Sequence, residues 1–317
     1  MNYWLDPDLR PVLEAWPSVD LAKVGVTAVR EARAAMMAAA PVVETPQTQV
    51  ASLSAPGPEG APDVRIVSYR PAKAAASPLP AILHIHGGGY VLGTADMMDL
   101  ANRLLAPDLE CAIFSVDYRL APETAHPGPV EDCYAALTWL HANAADLGVD
   151  PTRIGVKGES AGGGLAAALA LLARDRGVTP PLAFQHLIYP MIDDRTCVRS
   201  DLAPFLGEHI WTPGHNTFGW SALLGSAPGG PHVSPYAAAA RATDIAGLPP
   251  TFIAVGGLDL FLEEDLDYAG RLMRAGVPVE LHVYPGAFHG FHFAPTARVS
   301  QAAERDSREA LRRSLHG

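Results

Sequence analysis

Arg153-Ile-Gly-Val-Lys-Gly-Glu-Ser-Ala-Gly-Gly-Gly-Leu-Ala-Ala-Ala-Leu-Ala-Leu-Leu-Ala173 is the stretch from which the rest of the chain can be read. It opens on a β-rich run, Arg153 to Val156, and closes in Ala161 to Arg176, whose Ala and Leu content predicts a helix. Between them lies Gly158-Glu-Ser-Ala-Gly162, a G-x-S-x-G pattern in the strand–turn–helix setting that makes it informative. A nucleophilic serine has to be thrust out of a sharp turn where neighbouring side chains would collide, and Gly158 and Gly162 remove that crowding. The helix N-terminus adds a backbone N–H, that of Ala161, beside the reacting oxygen. The bland alternative at this point is an ordinary Gly-rich turn with Ser160 as a helix cap.

Outward from this unit, β-rich and helical runs alternate from about Val64 onward. Strands are predicted at Val64–Tyr69, Ala81–Ile85, Ala112–Val116, Phe184–Tyr189, Thr251–Val255 and Val279–Tyr284, with a short one near Val50. Helices are predicted at Leu100–Leu105, Val130–Ala145, Asp265–Ala275 and Arg298–Leu315. The alternation is that of an α/β protein, and the nearly continuous apolar runs suit a mostly parallel sheet buried on both faces. Residues 1–40 carry apolar positions at amphipathic-helix spacing, outside any strand ladder. Met191 to about Ala246 breaks the alternation with Pro, Gly, His and the aromatics Phe205, Trp211, Phe218 and Trp220, a lid-like insertion. Those aromatics suggest an apolar acyl or alcohol pocket, although packing is the plainer reading of each.

A length of 317 residues allows one or two domains, and 49% hydrophobic with 18% charged residues describes a folded chain rather than a disordered one. The net charge of −11, without any Lys/Arg cluster, argues against a nucleic-acid surface or a polybasic membrane patch. Cys111, Cys133 and Cys197 are too few and too scattered for a disulfide framework or a CxxC motif. With no secretory leader and no long apolar run, the chain reads as a cytoplasmic protein without stable membrane insertion.

A second motif, His86-Gly-Gly-Gly-Tyr90, follows directly on the Ala81–Ile85 strand. Three successive glycines are costly in backbone entropy, so they need a reason. A backbone that turns its N–H groups toward an anion supplies one, with Gly88 and Gly89 as the donors of an oxyanion hole completed by Ala161. A phosphate loop is excluded, since no Gly-Lys-Ser/Thr follows; a plain flexible turn is the other reading. Ser160 needs a base, and among twelve histidines His289, in a loop just past Val279–Tyr284, is the choice, with His292 its nearest rival. His84 and His126 read as structural. Asp259, just after Thr251–Val255, is the acid that would orient the imidazole; Glu263, Glu264, Asp265 and Asp267 fall in the first turn of the next helix, where carboxylates suit the dipole. The order Ser160, Asp259, His289 is that of the α/β-hydrolases.

Together with Asp117-Tyr-Arg-Leu-Ala-Pro-Glu123, these motifs resemble the bacterial hormone-sensitive-lipase family of α/β-hydrolase esterases, over roughly Val64 to the end. Aryl- and acetyl-esterases, heroin-esterase-like proteins among them, look nearest. The resemblance implies an α/β-hydrolase fold with a helical cap, built from residues 1–45 and 191–240 over a catalytic body of 46–190 and 241–317. It makes Tyr118–Glu123 a structural hallmark without catalytic duty, and it is compatible with a homodimer. The chain departs from the family at Asp259-Leu-Phe261, where Asp-Pro-Leu is usual, and at Glu263, where an aspartate is common. Gly128 replaces a customary aromatic, which is expected to loosen a nearby loop.

The expected activity is that of a serine carboxylesterase, hydrolysing short-to-medium acyl or aryl esters through an acyl-enzyme with no cofactor and no metal. Amide hydrolysis by the same triad is one alternative, and a non-catalytic small-ligand-binding protein on the same fold is another. A metal hydrolase is disfavoured, because no carboxylate completes an HExxH-type site around His84/His86 or His289/His292.

Overall fold

The computed structural model describes residues 4–16, 19–39, 43–73 and 77–317. Eight strands form one sheet: β1 (Thr48–Ala55), β2 (Val64–Pro71), β3 (Leu79–Ile85), β4 (Ala112–Val116), β5 (Val149–Glu159), β6 (Gln185–Ile188), β7 (Thr251–Gly256) and β8 (Val279–Tyr284). Their order is β1-β2-β4-β3-β5-β6-β7-β8, antiparallel across β1, β2 and β4 and parallel from β4 onward. Every residue of β3, β4 and β7 is buried, as their unbroken apolar runs require, whereas the edge strand β8 is mostly half-buried.

Helices α1 (Arg10–Ala15), α2 (Leu21–Val24) and α3 (Val26–Ala39) precede the sheet; α4 (Asp99–Asp108), α5 (Gly128–Ala142), α6 (Ala161–Asp175), α7 (Pro213–Leu224), α8 (Leu262–Arg274) and α9 (Arg298–His316) follow within it. The helix α6 is buried throughout from Ala161 to Ala173, because its Gly and Ala residues let it lie close against β5 and β6 while α5 covers it. Each of its leucines, such as Leu169, contributes about 1.5–3 kcal/mol by leaving water. Leu83 and Ile85 face this core, and Ile82, pointing the other way, joins Phe184 with Leu311 and Leu315 of α9. Among the described residues no helix is long and apolar enough to cross a membrane.

Two sequence readings need adjustment. The strand expected at Arg153–Val156 begins at Val149, since Val149 already pairs with Leu79 before the register shifts. The helix α7 went unread inside the insertion, although Thr212 caps it, Pro213 opens it and the left-handed Gly225 closes it; its mixed composition hid the periodicity. At Gly128 the Thr124 methyl carbon stands 2.1 Å from where a Cβ would lie, so the space beside the glycine is taken up. The helical stretch expected over residues 1–40 corresponds to α1, α2 and α3, with positions 1–3, 17–18 and 40 outside the described residues.

Candidate active site

The strand β5 ends at Glu159 and α6 begins at Ala161, so Ser160 alone makes the turn, with φ +56° and ψ −122°. Its N–H donates to Ile188 O at 2.9 Å, and its carbonyl accepts from Met191 N–H at 3.0 Å and Gly164 N–H at 2.9 Å. The flanking glycines are required by close approach. A Cβ on Gly158 would lie 2.2 Å from Gly162 O, and one on Gly162 would lie 2.0 Å from Ile85 O.

The loops after β7 and β8 bring up the other two groups, and they are tied to each other: Gly257 N–H donates to Tyr284 O and Leu258 N–H to Ala287 O, both at 2.8 Å. The His289 ring stands between, with Nδ1 2.8 Å from Asp259 Oδ2 and Nε2 2.8 Å from Ser160 Oγ. Asp259 is fully buried, and its Oδ1 accepts from Phe261 N–H at 3.0 Å. A carboxylate can only accept, so Nδ1 carries the proton and Nε2 is left to receive one from the serine hydroxyl.

None of the rivals is hydrogen-bonded to Ser160 or to the His289 ring among the described residues. His292 turns Nδ1 to the Tyr189 hydroxyl, and burial pushes it down to about 4. Glu263 pairs with Arg199 at 2.6 Å. Glu264 accepts from Ile192 N–H, Asp193 N–H and the Thr196 hydroxyl. Asp265 is buried with neither oxygen hydrogen-bonded among the described residues, and Asp267 faces Arg271 at 3.9 Å.

The glycine run lies against Ser160, since a Cβ on Gly87 would stand 3.4 Å from that of Ser160. Gly88 and Gly89 adopt φ +122° and +61°. His86 Nδ1 donates to Gly87 O at 2.8 Å, while Val91 and Leu92 N–H donate to Gly88 O at 3.1 and 2.9 Å. In a planar trans peptide the N–H points opposite to its carbonyl, so pinning these two carbonyls aims the N–H groups of Gly88 and Gly89 the other way. Among the described residues neither N–H makes a hydrogen bond, nor does that of Ala161 at the start of α6. Burial pushes His86 down to about 4, which keeps it neutral with its one proton on the nitrogen facing Gly87 O.

The α/β-hydrolase fold family matches residues 82–293. The chain is an α/β-hydrolase of the hormone-sensitive-lipase family. It is 36% identical to carboxylesterase NlhH of Mycobacterium tuberculosis, over 98% of this chain and 97% of that protein. To the arylesterase of Saccharolobus solfataricus it is 30% identical, over 92% and 93%. Among solved structures it resembles a bacterial heroin esterase, with a TM-score of 0.93 and 44% identity over 99% of this chain and 98% of that one.

Three features of this α/β-hydrolase were not read from its sequence. Trp211, from the insertion, lies on the glycine run: a Cβ on Gly89 would meet its ring at 2.0 Å, and the ring centroid is 6.3 Å from that of His289. Its Nε1 donates to Asn216 Oδ1 at 3.2 Å, which fixes the ring plane. Tyr118 stacks on His86 at 4.3 Å and donates its hydroxyl proton to His86 O at 2.9 Å, so the Tyr118–Glu123 hallmark braces the glycine run from behind. Glu159, next to Ser160, accepts from His84 Nε2 at 3.0 Å and pairs with Lys157. Burial alone would raise the Glu159 carboxyl, but the Lys157 charge and His84 hold it well below the usual range. His84 is thereby structural, as its place on β3 suggested.

Proposed function

We propose that this serine carboxylic ester hydrolase cleaves short-to-medium acyl esters and aryl esters with Ser160 as nucleophile, His289 as base and Asp259 as orienting acid. The N–H groups of Gly88, Gly89 and Ala161 form its oxyanion hole. His289 takes the Ser160 proton as Oγ adds to the ester carbonyl, then delivers that proton to the departing alcohol as the C–O bond breaks. A water molecule, deprotonated by the same ring, cleaves the acyl-enzyme and restores Ser160. One oxyanion donor is worth about 2.7–4 kcal/mol in such a transition state, so the backbone carries as much of the rate as the side chains.

The observation that carries this reading is the single imidazole 2.8 Å from both the hydroxyl and the buried carboxylate. Residues 1–45 and 191–240 serve as the cap over a body of 46–190 and 241–317; the contact of Trp211 with Gly89 and the 2.7 Å bond between His215 Nε2 and Val19 O support that division. The relatives named arylesterase and heroin esterase favour the aryl-ester part of the reading. A cytoplasmic location, supported by three unpaired thiols, and association into a homodimer without nucleic acid belong to the same reading.

A fluorophosphonate probe followed by peptide mass spectrometry should label Ser160, and the label should be lost in His289→Ala. Matched p-nitrophenyl esters and p-nitroanilides should show ester turnover far ahead of amide turnover. Label on another residue, or anilides cleaved as fast as esters, would overturn the assignment.

A further inference from the structure

Arg30 lies on α3, far in sequence from the glycine run, yet its guanidinium makes four hydrogen bonds around it. Its Nε donates to Val91 O at 2.8 Å, a terminal nitrogen donates to Ala121 O at 2.8 Å, and both Glu123 carboxylate oxygens accept, at 2.8 and 3.0 Å. The Val91 carbonyl belongs to the peptide whose N–H, on Leu92, donates to Gly88 O at 2.9 Å. The Gly88 carbonyl in turn belongs to the peptide whose N–H is that of Gly89. A cation, two peptide units and the Gly89 N–H therefore stand head to tail. A second run of bonds, which does not start at the guanidinium, ends on the same acceptor: Ala121 N–H donates to Tyr90 O at 3.0 Å, and the N–H of that peptide, on Val91, donates to Gly88 O at 3.1 Å. Hydrogen bonds in series polarise one another, and a fixed positive charge at the far end draws electron density away from the terminal N–H.

We propose that Arg30 is a positioning residue for ester hydrolysis: through the carbonyls of Val91 and Gly88 it orients and polarises the Gly89 N–H that receives the oxyanion. The inference rests on Gly89 being an oxyanion donor, as read above. Arg30 itself touches no substrate. Glu123 keeps the guanidinium in register, which gives the acidic end of the Tyr118–Glu123 segment its task. Lysine cannot replace Arg30, because a single ammonium on a flexible stem cannot span the acceptors of two separate segments, Val91 in one and Ala121 with Glu123 in the other, as the planar fork does.

The test compares Arg30→Met, Arg30→Lys and Glu123→Gln with the parent enzyme in kcat and KM for p-nitrophenyl acetate. It also compares their affinity for an alkyl trifluoromethyl ketone, which Ser160 converts to a tetrahedral oxyanion. Arg30→Met is expected to lower kcat roughly 10- to 100-fold, short of the outright loss of a donor, and to weaken the ketone by a similar factor. Arg30→Lys should fall with it, while KM stays within about threefold for all variants and Glu123→Gln, which keeps the charge and the Val91 bond, loses no more than about threefold in kcat. A parental kcat in Arg30→Met, a loss confined to KM, or equal losses in Arg30→Met and Glu123→Gln would overturn the inference; equal losses would mean that Arg30 only docks α3. If Arg30→Met does not fold, Arg30→Gln is measured in its place, with kcat and ketone affinity again expected to fall together at unchanged KM. Fluorophosphonate labelling separates the two levels. A parent unlabelled at Ser160 defeats the functional reading, whereas a labelled parent with an indifferent Arg30 defeats only this inference.

Discussion

Ser160 holds a backbone conformation, φ +56° with ψ −122°, that side-chain-bearing residues adopt at a cost of order 1–3 kcal/mol. Glycine escapes most of that cost. Both Ser160→Gly and Ser160→Ala remove the hydroxyl proposed as nucleophile and should abolish turnover, but the glycine variant should be the more stable by about 1 kcal/mol, read from urea midpoints at neutral pH. Coincident midpoints would mean the turn is unstrained. At this scale the sequence pointed to residues just behind a strand, Ser160, Asp259 and His289, and the fold brings those three side chains within hydrogen-bond distance. It could rank His289 above His292 only by position; what separates them physically is the partner each ring finds, Asp259 in one case and the Tyr189 hydroxyl in the other. Arg30 left no local signal, and Trp211 was only one of four aromatics in the insertion, because the importance of the two lies in contacts with Val91 and Gly89, which no spacing along the chain encodes.

Among the elements, α8 shows what a carboxylate costs when it faces inward. Its first turn holds Glu263, Glu264 and Asp265, a pattern that reads as favourable to the helix dipole, yet Asp265 is fully buried with no hydrogen-bond partner among the described residues. Burial, together with Glu264 and Asp259, pushes the Asp265 carboxyl well above its usual range. The folded chain thus retains a proton that the unfolded chain surrenders as pH rises past about 4, and stability declines over that interval. Asp265→Asn, neutral at every pH, should therefore be more stable than the parent by about 1–3 kcal/mol near pH 8 and indistinguishable from it near pH 4. Urea unfolding at both pH values checks this; a variant no more stable at the higher pH would contradict it. The strands themselves were legible because β3, β4 and β7 are buried on both faces and so cannot hide their apolar runs. The extra length of β5 and the whole of α7 were not, since Asp150 and Pro151 interrupt one and Pro213, Gly214, His215 and Gly219 dilute the other.

For the molecule as a whole, burial pushes five histidines, His86, His126, His141, His186 and His292, below the ordinary imidazole range. Unfolding lets them take up protons from about pH 6.5 downward, so stability falls as pH drops through that window, on the order of 3 kcal/mol by pH 4 for a histidine held near 4. Glu264 and Asp265 act in the opposite sense over the same window, but they are two against five. Glu159, held low by Lys157 and His84, adds its own loss once pH falls below the ordinary glutamate value of 4.5. The urea midpoint should therefore decline steadily from pH 6.5 to 4, and a flat profile would show that these rings do not stay neutral in the fold. One further property follows from the way the loops after β7 and β8 are laced together while Ser160 and the glycine run ride on β5 and β3. The groups proposed to react belong to two parts of the polypeptide that meet between β6 and β7, and the exposed turn Gly225–Ala227 falls between them in the chain. A single nick there leaves the alcohol and its amide cradle on one fragment and the imidazole with its counter-ion on the other, so that the colour released from a chromogenic substrate becomes a direct gauge of whether the two fragments are still joined.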